Sequence, residues 1–476
     1  MESRLAKAIY NASPVWLQDL LISAYGYKLY RLRYGGVFHQ QLARLERIQA
    51  YSVAELAALQ NEELQRLLTH AQRNVPWYRR RFAELGIQPQ EIDLNSLQQL
   101  PILDKRELKA HSELFVAENL PARSLQTLNT SGTTGSPLVI KASRAALQTN
   151  YAFFERFLRQ IGVGSRDRSI TFAGRLLLPP RQKGAPYWRR NLTMNTLLCS
   201  SYHIAPDTAS AYLRRIARYQ PLYIDAYPSA IYQLAQHVLT SGEDWGIRPK
   251  AIVTSSETLL EHQREAIEQA FQCRVYDQYG SAEMAACITQ CERGSYHVNP
   301  DYGIVEIVKS DGTPARPGEA GDLICTGFVN EAMPMIRYRI GDMAVADDRT
   351  CSCGLAWPVI GSILGRLDDV IVTADGRRIG RLDPLFKGLR GIEEAQIVQV
   401  ALDRIRVNLV PGNDYSSRVG EALTAALKRR VGADMQVELV LLDRIPRTAA
   451  GKFRAVVSQL EPQTAQPRND AAVESQ

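Results

Sequence analysis

Residues 128–137 read Leu-Asn-Thr-Ser-Gly-Thr-Thr-Gly-Ser-Pro, a composition suited to binding phosphate groups. Gly132 and Gly135 allow the backbone to turn tightly and to approach a ligand closely. Hydroxyl and backbone N–H groups can then donate to phosphate oxygens, and suitable hydroxyls are those of Thr130, Ser131, Thr133 and Thr134. The segment lacks the lysine of a G-x-x-x-x-G-K-[ST] loop, and strand-like runs flank it. It is therefore predicted to be a mobile hairpin over a nucleotide triphosphate, with an ordinary surface turn as the alternative.

A second motif combines a hydroxyl with a carboxylate directly after a predicted strand. Residues 276–283 read Tyr-Asp-Gln-Tyr-Gly-Ser-Ala-Glu, so the strand runs into a turn at Gly280. In α/β sheets, ligands bind beyond the C-terminal ends of the strands, which is where Ser281 and Glu283 fall. A carboxylate there can hold a Mg²⁺ ion that bridges phosphates. The alternative is a Ser/Glu cap at the start of a helix.

Three further motifs follow towards the C-terminal end. Residues 336–342 end in a glycine and Asp342. The Asp342 carboxylate could accept two hydrogen bonds from a ribose diol, or it could form a salt bridge with a basic side chain in a turn. Residues 365–371 read Gly-Arg-Leu-Asp-Asp-Val-Ile, and in residues 445–454 a flexible Thr-Ala-Ala-Gly stretch precedes Lys452. A lysine on such a loop can enter a site as a point charge for one step of a reaction, although a lone lysine is more often solvated.

A group of cysteine and histidine residues has the composition of a metal site. It matches the Cys₃His set of structural zinc and consists of Cys291, His297, Cys351 and Cys353. The chain has seven cysteines and no recognisable signal peptide, which argues against a disulfide framework. We predict a structural Zn²⁺ that fixes the loop after Glu283. The alternative is unligated cysteines beside a surface histidine, and Cys287 could substitute for one ligand.

Two or three domains must position these residues, because 476 residues exceed the size of one ordinary core. Residues 10–115 read as mostly helical, with apolar spacings of three and four. From about residue 125, short strands alternate with helices, which predicts a largely parallel α/β sheet. A boundary is expected near residues 365–369 and a compact β/α region beyond it. The polar residues 461–476 are expected to be disordered.

Charge and hydropathy exclude several classes of protein. The net charge of +7 comes from 57 basic and 50 acidic residues spread along the chain, which suits small anionic substrates and gives no nucleic-acid-binding stripe. No run of eighteen apolar residues and no signal-peptide core occur, so a cytoplasmic protein is expected. Residues 15–33 mix apolar, tyrosine and basic side chains and could lie on a membrane surface, although packing on their own domain is favoured.

In this order, the five motifs resemble those of the adenylate-forming superfamily, which includes acyl- and aryl-CoA synthetases, luciferases and the adenylation domains of peptide synthetases. The matching segments are residues 130–137, 279–283, 338–342, 365–369 and 446–452. The most similar branch is the phenylacetate–CoA ligase-like group and, within it, the CapK-like proteins of capsular-polysaccharide biosynthesis. Residues 20–36, 74–82 and 375–399 carry the resemblance to that subgroup.

The resemblance implies an α/β protein of two domains. The larger would be an ATP- and acyl-binding adenylation domain of mixed sheets and helices, residues 1–367, with a helical region at residues 1–120. The smaller would be a mobile α+β lid domain at residues 368–460.

The resemblance also implies a role for each motif. The β- and γ-phosphates of ATP would be held by Thr130, Ser131, Gly132, Thr133, Thr134 and Gly135. The adenine would be lined by Ser256, Glu257 and residues 276–279, including Tyr279, and the α-phosphate and Mg²⁺ would contact Gly280, Ser281 and Glu283. Asp342 would hold the ribose, with Arg366 nearby, and Asp368 would be the hinge. Lys452 would bind the α-phosphate and the attacking carboxylate, so that Lys452, Glu283 and Thr134 would be the catalytic residues.

The implied reaction converts a small carboxylic acid and ATP into acyl-AMP and pyrophosphate, and then transfers the acyl group to the thiol of CoA or of a carrier protein. The alternative acceptor is an amine or hydroxyl of a sugar or amino acid, giving an amide or ester in polysaccharide assembly. Residues 376–382 keep this open, because they read Gly-Arg-Arg-Ile-Gly-Arg-Leu where phenylacetate-type ligases have Gly-Val-Asn-Val-Phe-Pro. A non-catalytic homologue would have lost Lys452, Glu283 or Asp342, and all three are present.

Overall fold

The computed structural model describes residues 9–129, 138–173, 177–178, 182, 184–366, 371–373, 378–379, 391–412, 414–448 and 453–460. The chain divides into two compact units. The first comprises Met1–Leu367 and Arg447–Phe453, and the second comprises Asp368–Pro446 and Arg454–Gln476. The predicted phosphate-binding residues 130–135, the hinge residue Asp368 and Lys452 lie outside the described residues.

The first unit begins with helices, as the apolar spacing predicted. The α-helices of this unit are α1 Val15–Arg33, α2 Phe38–Ile48, α3 Val53–Asn74, α4 Pro76–Leu85, α5 Lys105–Ala110, α6 Arg144–Gln160, α7 Pro206–Tyr219, α8 Pro228–Ser241 and α9 Glu261–Phe271. A capping box fixes the start of α3, since Ser52 accepts from the N–H of Glu55 and the Glu55 carboxylate accepts from the N–H of Ser52. The helix then buries Leu64, Leu67 and Leu68 at helical spacing. None of the helices in the described part of the chain is both long and apolar enough to span a bilayer.

Strands β1 and β2 form the arms of the predicted hairpin. β1 (Gln126–Asn129) pairs antiparallel with β2 (Val139–Ala142) in a two-stranded sheet. Residues 130–137 of the phosphate-loop motif come directly after β1 and directly before Leu138. The pairing therefore agrees with the strand-like runs that flank the motif.

A sheet of twelve strands forms the centre of the first unit. Its strands are β3 Ser169–Ala173, β4 Trp188–Asn191, β5 Thr196–Ser200, β6 Tyr223–Ala226, β7 Ala251–Ser255, β8 Arg274–Gly280, β9 Cys287–Gln290, β10 Tyr296–Val298, β11 Gly303–Val308, β12 Ala320–Gly327, β13 Tyr338–Ala346 and β14 Val359–Arg366. Their order is β11-β12-β13-β14-β10-β9-β8-β7-β6-β3-β5-β4. The strands β5, β3, β6, β7 and β8 are parallel, as predicted.

The prediction of a largely parallel sheet was wrong for the other half. From β8 to β11 every neighbouring pair is antiparallel, and β4 pairs antiparallel with β5. The reason is that residues 287–366, all of which are described, contain no helix. Parallel neighbours need a long crossover connection, whereas strands joined by short turns can pair antiparallel. The parallel and antiparallel halves meet at β8, the strand that carries the second motif.

The second unit has its own sheet and helix. Its four-stranded sheet has the order β19-β18-β17-β20, with β17 Ile392–Ala401, β18 Arg404–Pro411, β19 Gln436–Leu441 and β20 Val456–Ser458. A separate pair consists of β15 Ile371–Val372 and β16 Arg378–Ile379. Helix α10 (Ser417–Val431) contributes Leu423 and Leu427 to a core with Ile397 and Val407. The fold class is therefore confirmed: a large mixed α/β assembly is followed by a smaller α+β one.

Candidate nucleotide site and metal centre

The predicted nucleotide residues gather at the C-terminal ends of β7 and β8. These strands are parallel neighbours in which Ser255 lies opposite Gln278, so both chains leave the sheet at the same edge. Ser256 follows β7 with a φ of +71°, a left-handed conformation that is strained for a residue with a side chain. Such strained residues cluster at ligand-binding sites. Ser256 and Gly280 line one cavity, so the two motifs meet in space.

Glu283 is a buried carboxylate with two contacts. Its side chain is 5% exposed, and its Oε1 accepts a hydrogen bond from the Tyr338 hydroxyl at 3.2 Å. Lys105 Nζ, at the start of α5, lies 3.7 Å from the same oxygen. The suggestion that Ser281 and Glu283 cap a helix is wrong, because a turn and then β9 follow them. A partly neutralised carboxylate at the strand-end edge is a suitable ligand for a hard cation.

Asp342 and Tyr279 are in direct contact. The Tyr279 hydroxyl donates to Asp342 Oδ2 at 2.6 Å, which joins the predicted ribose residue to the predicted adenine segment. Burial raises the pKa of Tyr279 well above its usual value, and the negative charge of Asp342 adds to that shift. Tyr279 therefore keeps its proton and remains a donor. Arg366 lies opposite Asp342 in the β13–β14 ladder, but its side chain is outside the described residues.

Glu257 connects three segments of the first unit. Its carboxylate accepts from the Ser229 backbone N–H at 3.0 Å and from the Ser229 hydroxyl at 3.1 Å. It also accepts from the backbone N–H of Phe453 at 2.5 Å. Burial raises the pKa of Glu257, and these donors oppose the shift. Glu257 therefore joins the start of α8 to the segment Arg447–Phe453, which belongs to the same compact unit.

Asp277 is held by hydroxyl donors from two other strands. It is buried and accepts from the Thr254 hydroxyl at 2.7 Å and from the Tyr296 hydroxyl at 2.8 Å. Burial raises the pKa of Asp277, while the two hydroxyl donors lower it. The residue ties β8 to β7 and to β10. Of the predicted adenine segment, Gln278 and not Asp277 lines the cavity.

A cavity of about 240 Å³ adjoins these residues. It is lined by Asn150, Tyr151, Phe154, Ser255, Ser256, Gln278, Gly280, Ser281, Ala286, Cys287 and Tyr302. None of these described lining residues has an acidic or basic side chain. Asn150 Oδ1 accepts from the Tyr302 hydroxyl at 2.7 Å, so the wall has a fixed polar pair.

Sequence reasoning located this cavity only in part. The sequence offers residues 153–157, 172–175 and 226–229 as candidates for the acyl pocket, with a place in the core as the alternative. Of residues 153–157, only Phe154 lines the cavity, while Phe153 and Phe157 are buried in cores. The described residues of the other two suggested segments, 172–175 and 226–229, do not line it. The missed residues Asn150 and Tyr151 precede Phe154 by one helical turn on α6. That spacing was the available signal.

The four predicted zinc ligands come together. The ligand atoms of Cys291, His297, Cys351 and Cys353 all lie within 4.8 Å of one another. The Sγ atoms of Cys291 and Cys351 are 3.7 Å apart, and Cys353 Sγ is 3.3 Å from His297 Nε2. A tetrahedral zinc with Zn–S bonds of about 2.3 Å would place two sulfurs about 3.8 Å apart. The spacing of this donor set therefore fits a tetrahedral zinc.

The surroundings of His297 also suit metal binding. Its Nδ1 lies 3.2 Å from the carbonyl oxygen of Trp357. A proton on Nδ1 donated to that carbonyl leaves Nε2, which faces Cys353, free to bind a metal. The cluster joins the β9–β10 hairpin to the loop before β14. Cys287, the suggested substitute ligand, lies outside this cluster and lines the cavity instead.

A buried ion pair lies between α6 and this cluster. Arg156, only 1% exposed, donates to Asp301 at 2.6 and 2.9 Å and to Asn299 Oδ1 at 2.7 Å. Its guanidinium carbon is 4.5 Å from the ring centroid of Trp357, whose carbonyl contacts His297. No sequence motif predicted this ion pair. It links the helix that lines the cavity to the segment directly after β10, the strand that carries His297.

Comparison with known proteins supports the resemblance of the motifs. Residues 371–459 match the family model described as the CapK C-terminal domain. The chain is 27% identical over 466 residues to Protein CapK of Staphylococcus aureus, covering 95% of this chain and 99% of that protein. It is 26% identical over 430 residues to a phenylacetate-coenzyme A ligase of Escherichia coli, covering 85% and 95% of the two chains. A phenylacetate-coenzyme A ligase of Thermus thermophilus is 25% identical over 449 residues, with 85% and 96% covered.

Solved structures agree in fold. The structure of a 2-hydroxyisobutyryl-CoA ligase in the postadenylation state, in complex with 2-HIB-AMP, superposes with a TM-score of 0.67 at 21% identity. The match covers 87% of this chain and 92% of that one. At this identity the match establishes the fold alone. The chain is thus a homologue of Protein CapK and of the phenylacetate-coenzyme A ligases, and it has the fold of the adenylate-forming CoA ligases that its motifs resemble.

Proposed function

We propose that this chain adenylates a carboxylic acid with ATP and transfers the acyl group to a thiol. The observation that carries the proposal is the meeting of Tyr279 with Asp342, and of Ser256 with Gly280, at one edge of the sheet. The similarity to phenylacetate-coenzyme A ligases, which covers 85% of this chain, supports it independently. A solved structure of the same fold is described as a CoA ligase in complex with an acyl adenylate, 2-HIB-AMP.

The first half-reaction would form a bond between a carboxylate oxygen of the acid and the α-phosphorus of ATP. The bond between that phosphorus and pyrophosphate would break, and pyrophosphate would carry away the electron pair. Two anions must approach each other, so positive charge has to screen them. Glu283 would hold Mg²⁺, which supplies such screening when bound, and Lys452 would contribute a second charge. Asp342, fixed by the Tyr279 hydroxyl, would orient the ribose.

The second half-reaction would join a thiolate sulfur to the acyl carbonyl carbon and release AMP. CoA is the acceptor that the named relatives favour, and a carrier-protein thiol would use the same chemistry. An amine or hydroxyl acceptor remains the second candidate, because residues 376–382 depart from the phenylacetate-type sequence. The resemblance of residues 20–36, 74–82 and 375–399 to the CapK-like proteins of capsular-polysaccharide biosynthesis is the reason for considering this acceptor.

The cavity suggests which acid would be bound. Its volume of about 240 Å³ accommodates a small acyl group, and the described residues that line it are uncharged, which disfavours a second carboxylate or an ammonium group on the acid. Tyr151 and Phe154 offer aromatic surface, whereas Gln278 and the Asn150–Tyr302 pair offer hydrogen bonds. A small aromatic or hydroxylated monocarboxylic acid fits this combination best.

Acid-dependent exchange of labelled pyrophosphate into ATP tests the proposal. The assay is run with a panel of aromatic, hydroxylated and aliphatic monocarboxylic acids, with dicarboxylic acids as the contrast. We expect exchange with a small monocarboxylic acid that has no second charged group, and none with the dicarboxylic acids. If no acid supports exchange and calorimetry detects no ATP binding, the proposal is wrong. Adding CoA or an amine to the active acid, with mass spectrometry of the product, then identifies the acceptor.

We also infer that the cluster of Cys291, His297, Cys351 and Cys353 holds a structural zinc ion. Protein purified without chelator is expected to contain stoichiometric zinc. Cys353→Ser is expected to lose the metal and to lower the melting temperature, because one metal ion would no longer hold three segments of the chain together. Metal analysis and thermal unfolding measure the two effects.

Cys273→Ser is the matched control for the zinc inference. Cys273 is also a free cysteine of the first unit but lies outside the cluster. This variant should keep the metal and show a melting temperature near that of the wild type. Zinc-free wild-type protein, or equal zinc content in the Cys353→Ser variant, would contradict the inference.

A further inference from the structure

We propose that the N-terminal helix α1 is a docking surface for an anionic membrane. Its basis is an exposed apolar patch, defined here as Trp16, Leu20, Tyr27 and Leu192. The exposed fractions of these side chains are 68%, 55%, 54% and 55%, respectively. At 3.6 residues per turn, the three helical members fall within about 40° of arc. The proposal goes beyond the proposed function, because it concerns where the protein binds and not what it catalyses.

The patch is concentrated in one place on the molecule. Of the sixteen large apolar side chains that are exposed in the described part of the chain, seven lie between Ile9 and Tyr27. Leu192 extends the patch beyond the helix, since its backbone N–H donates to the Ser23 hydroxyl at 2.9 Å and its own side chain is exposed. Single exposed apolar residues are normal, but a contiguous group of them marks an interaction site.

The helix turns its polar side inwards. Gln18 is buried and donates from its amide to the carbonyl oxygens of Tyr10 and Ser13 at 2.8 and 2.9 Å. Ser23 is buried beside Leu192, and Gly26 is so close to Asn191 that a Cβ atom would meet that side chain at 2.6 Å. A helix packed only on its own domain buries its apolar face and exposes its polar one. In helix α1, Ile22 is buried, and Tyr30 and Leu32 pack against a core cluster. Packing on its own domain does not account for Trp16, Leu20 and Tyr27, which remain more than half exposed.

Charge identifies the occupant of the patch. Residues 3–45 contain six basic side chains and a single acidic one, Asp19. The Asp19 carboxylate accepts a hydrogen bond from the Arg190 backbone N–H at 2.9 Å. Lys28 and Arg31 are exposed on the same helix as the patch. Tryptophan, tyrosine and leucine side chains bordered by lysine and arginine are the composition of helices that lie in the interface of anionic bilayers.

Vesicle binding tests the proposal on the full-length protein. The probes are vesicles of phosphatidylcholine alone and of phosphatidylcholine mixed equally with phosphatidylglycerol. We expect flotation only with the mixed vesicles, with weaker binding at high salt. The double variant Trp16→Ser/Leu20→Ser should reduce the partition coefficient at least about tenfold, because it removes two large apolar side chains from the patch. Lys28→Glu/Arg31→Glu should reduce it to a similar extent on anionic vesicles, again about tenfold.

A matched control separates the patch from exposed apolar surface in general. Val53 and Leu85 are also exposed but lie outside the patch, so Val53→Ser/Leu85→Ser should bind vesicles like the wild type. All three double variants change exposed positions and should keep the wild-type circular dichroism spectrum and melting temperature. Absence of wild-type binding, or equal binding by Trp16→Ser/Leu20→Ser, would overturn the proposal. If instead the wild type self-associates in sedimentation and that variant is monomeric, the patch is a protein interface and the proposal is also wrong.

Discussion

Replacing Arg156 with alanine is expected to lower the free energy of unfolding by about 3–5 kcal/mol, the usual cost of removing one partner from a buried ion pair. The side chains of Arg156 and Asp301 are 1% and 0% exposed. Without the guanidinium, the Asp301 carboxylate would remain buried with no opposite charge, and the carbonyl oxygen of Leu45 would lose a donor at 3.1 Å. Urea denaturation followed by tryptophan fluorescence measures the loss.

Two further variants identify the cause of this loss. Arg159 lies on the same helix but is half-exposed, where it contacts Glu46 and Glu155. Arg159→Ala should therefore remain within about 1 kcal/mol of the wild type. The double replacement Arg156→Met/Asp301→Leu should be much less harmful than Arg156→Ala, because it leaves no buried charge unpaired. Equal denaturation midpoints for Arg156→Ala and the wild type would mean that the pair contributes no stability.

The sequence predicted best those strands and helices whose bounds follow from the apolar pattern of their own residues. The sequence predicts a buried strand at residues 251–255, an amphipathic helix at 259–271 and a strand at 274–279. Strand β7 has the predicted bounds, Ala251–Ser255, because its short apolar run is buried in the parallel half of the sheet. Helix α9 (Glu261–Phe271) and strand β8 (Arg274–Gly280) also follow the predicted pattern closely. Whether neighbouring strands pair parallel or antiparallel was harder to predict from the sequence. A strand that returns by a turn and one that returns by a helix can have the same local composition, so the antiparallel half was missed.

The candidate site divides in a similar way. Sequence motifs identified Glu283, Asp342 and Tyr279 by residue type and position in a strand, and the last two are hydrogen-bonded. They did not identify Lys105, whose ammonium group lies 3.7 Å from Glu283 only because α5 packs against β13. Tertiary contacts of this kind leave no local pattern. The cysteine–histidine cluster was predictable because only a few residue types bind zinc. A set of residues of those types is therefore informative even when its members are far apart in sequence.

Replacing Lys452 with alanine is expected to reduce ATP–pyrophosphate exchange by about 10²–10³-fold, the range seen when a single charge-stabilising donor is removed from an active site. Lys452 lies outside the described residues, but its neighbour Phe453 donates its backbone N–H to Glu257 Oε1. Glu257 follows the strained Ser256 at the end of β7. The chain is thereby tethered to the candidate nucleotide site one residue away from the lysine. Exchange rates at saturating acid and ATP measure the effect.

Two controls distinguish the loss of the Lys452 charge from a general structural defect in the variant. Lys428→Ala, in helix α10 of the second unit, removes an equal charge away from the predicted motif and should exchange at the wild-type rate. Supplying synthetic acyl-AMP bypasses the step that needs Lys452, so the Lys452→Ala variant should then acylate the thiol at nearly the wild-type rate. Wild-type exchange by Lys452→Ala would show that the lysine does not act in adenylation. Loss of both half-reactions would point instead to a structural defect, since a point charge needed only for attack on phosphorus cannot impair attack on a preformed adenylate.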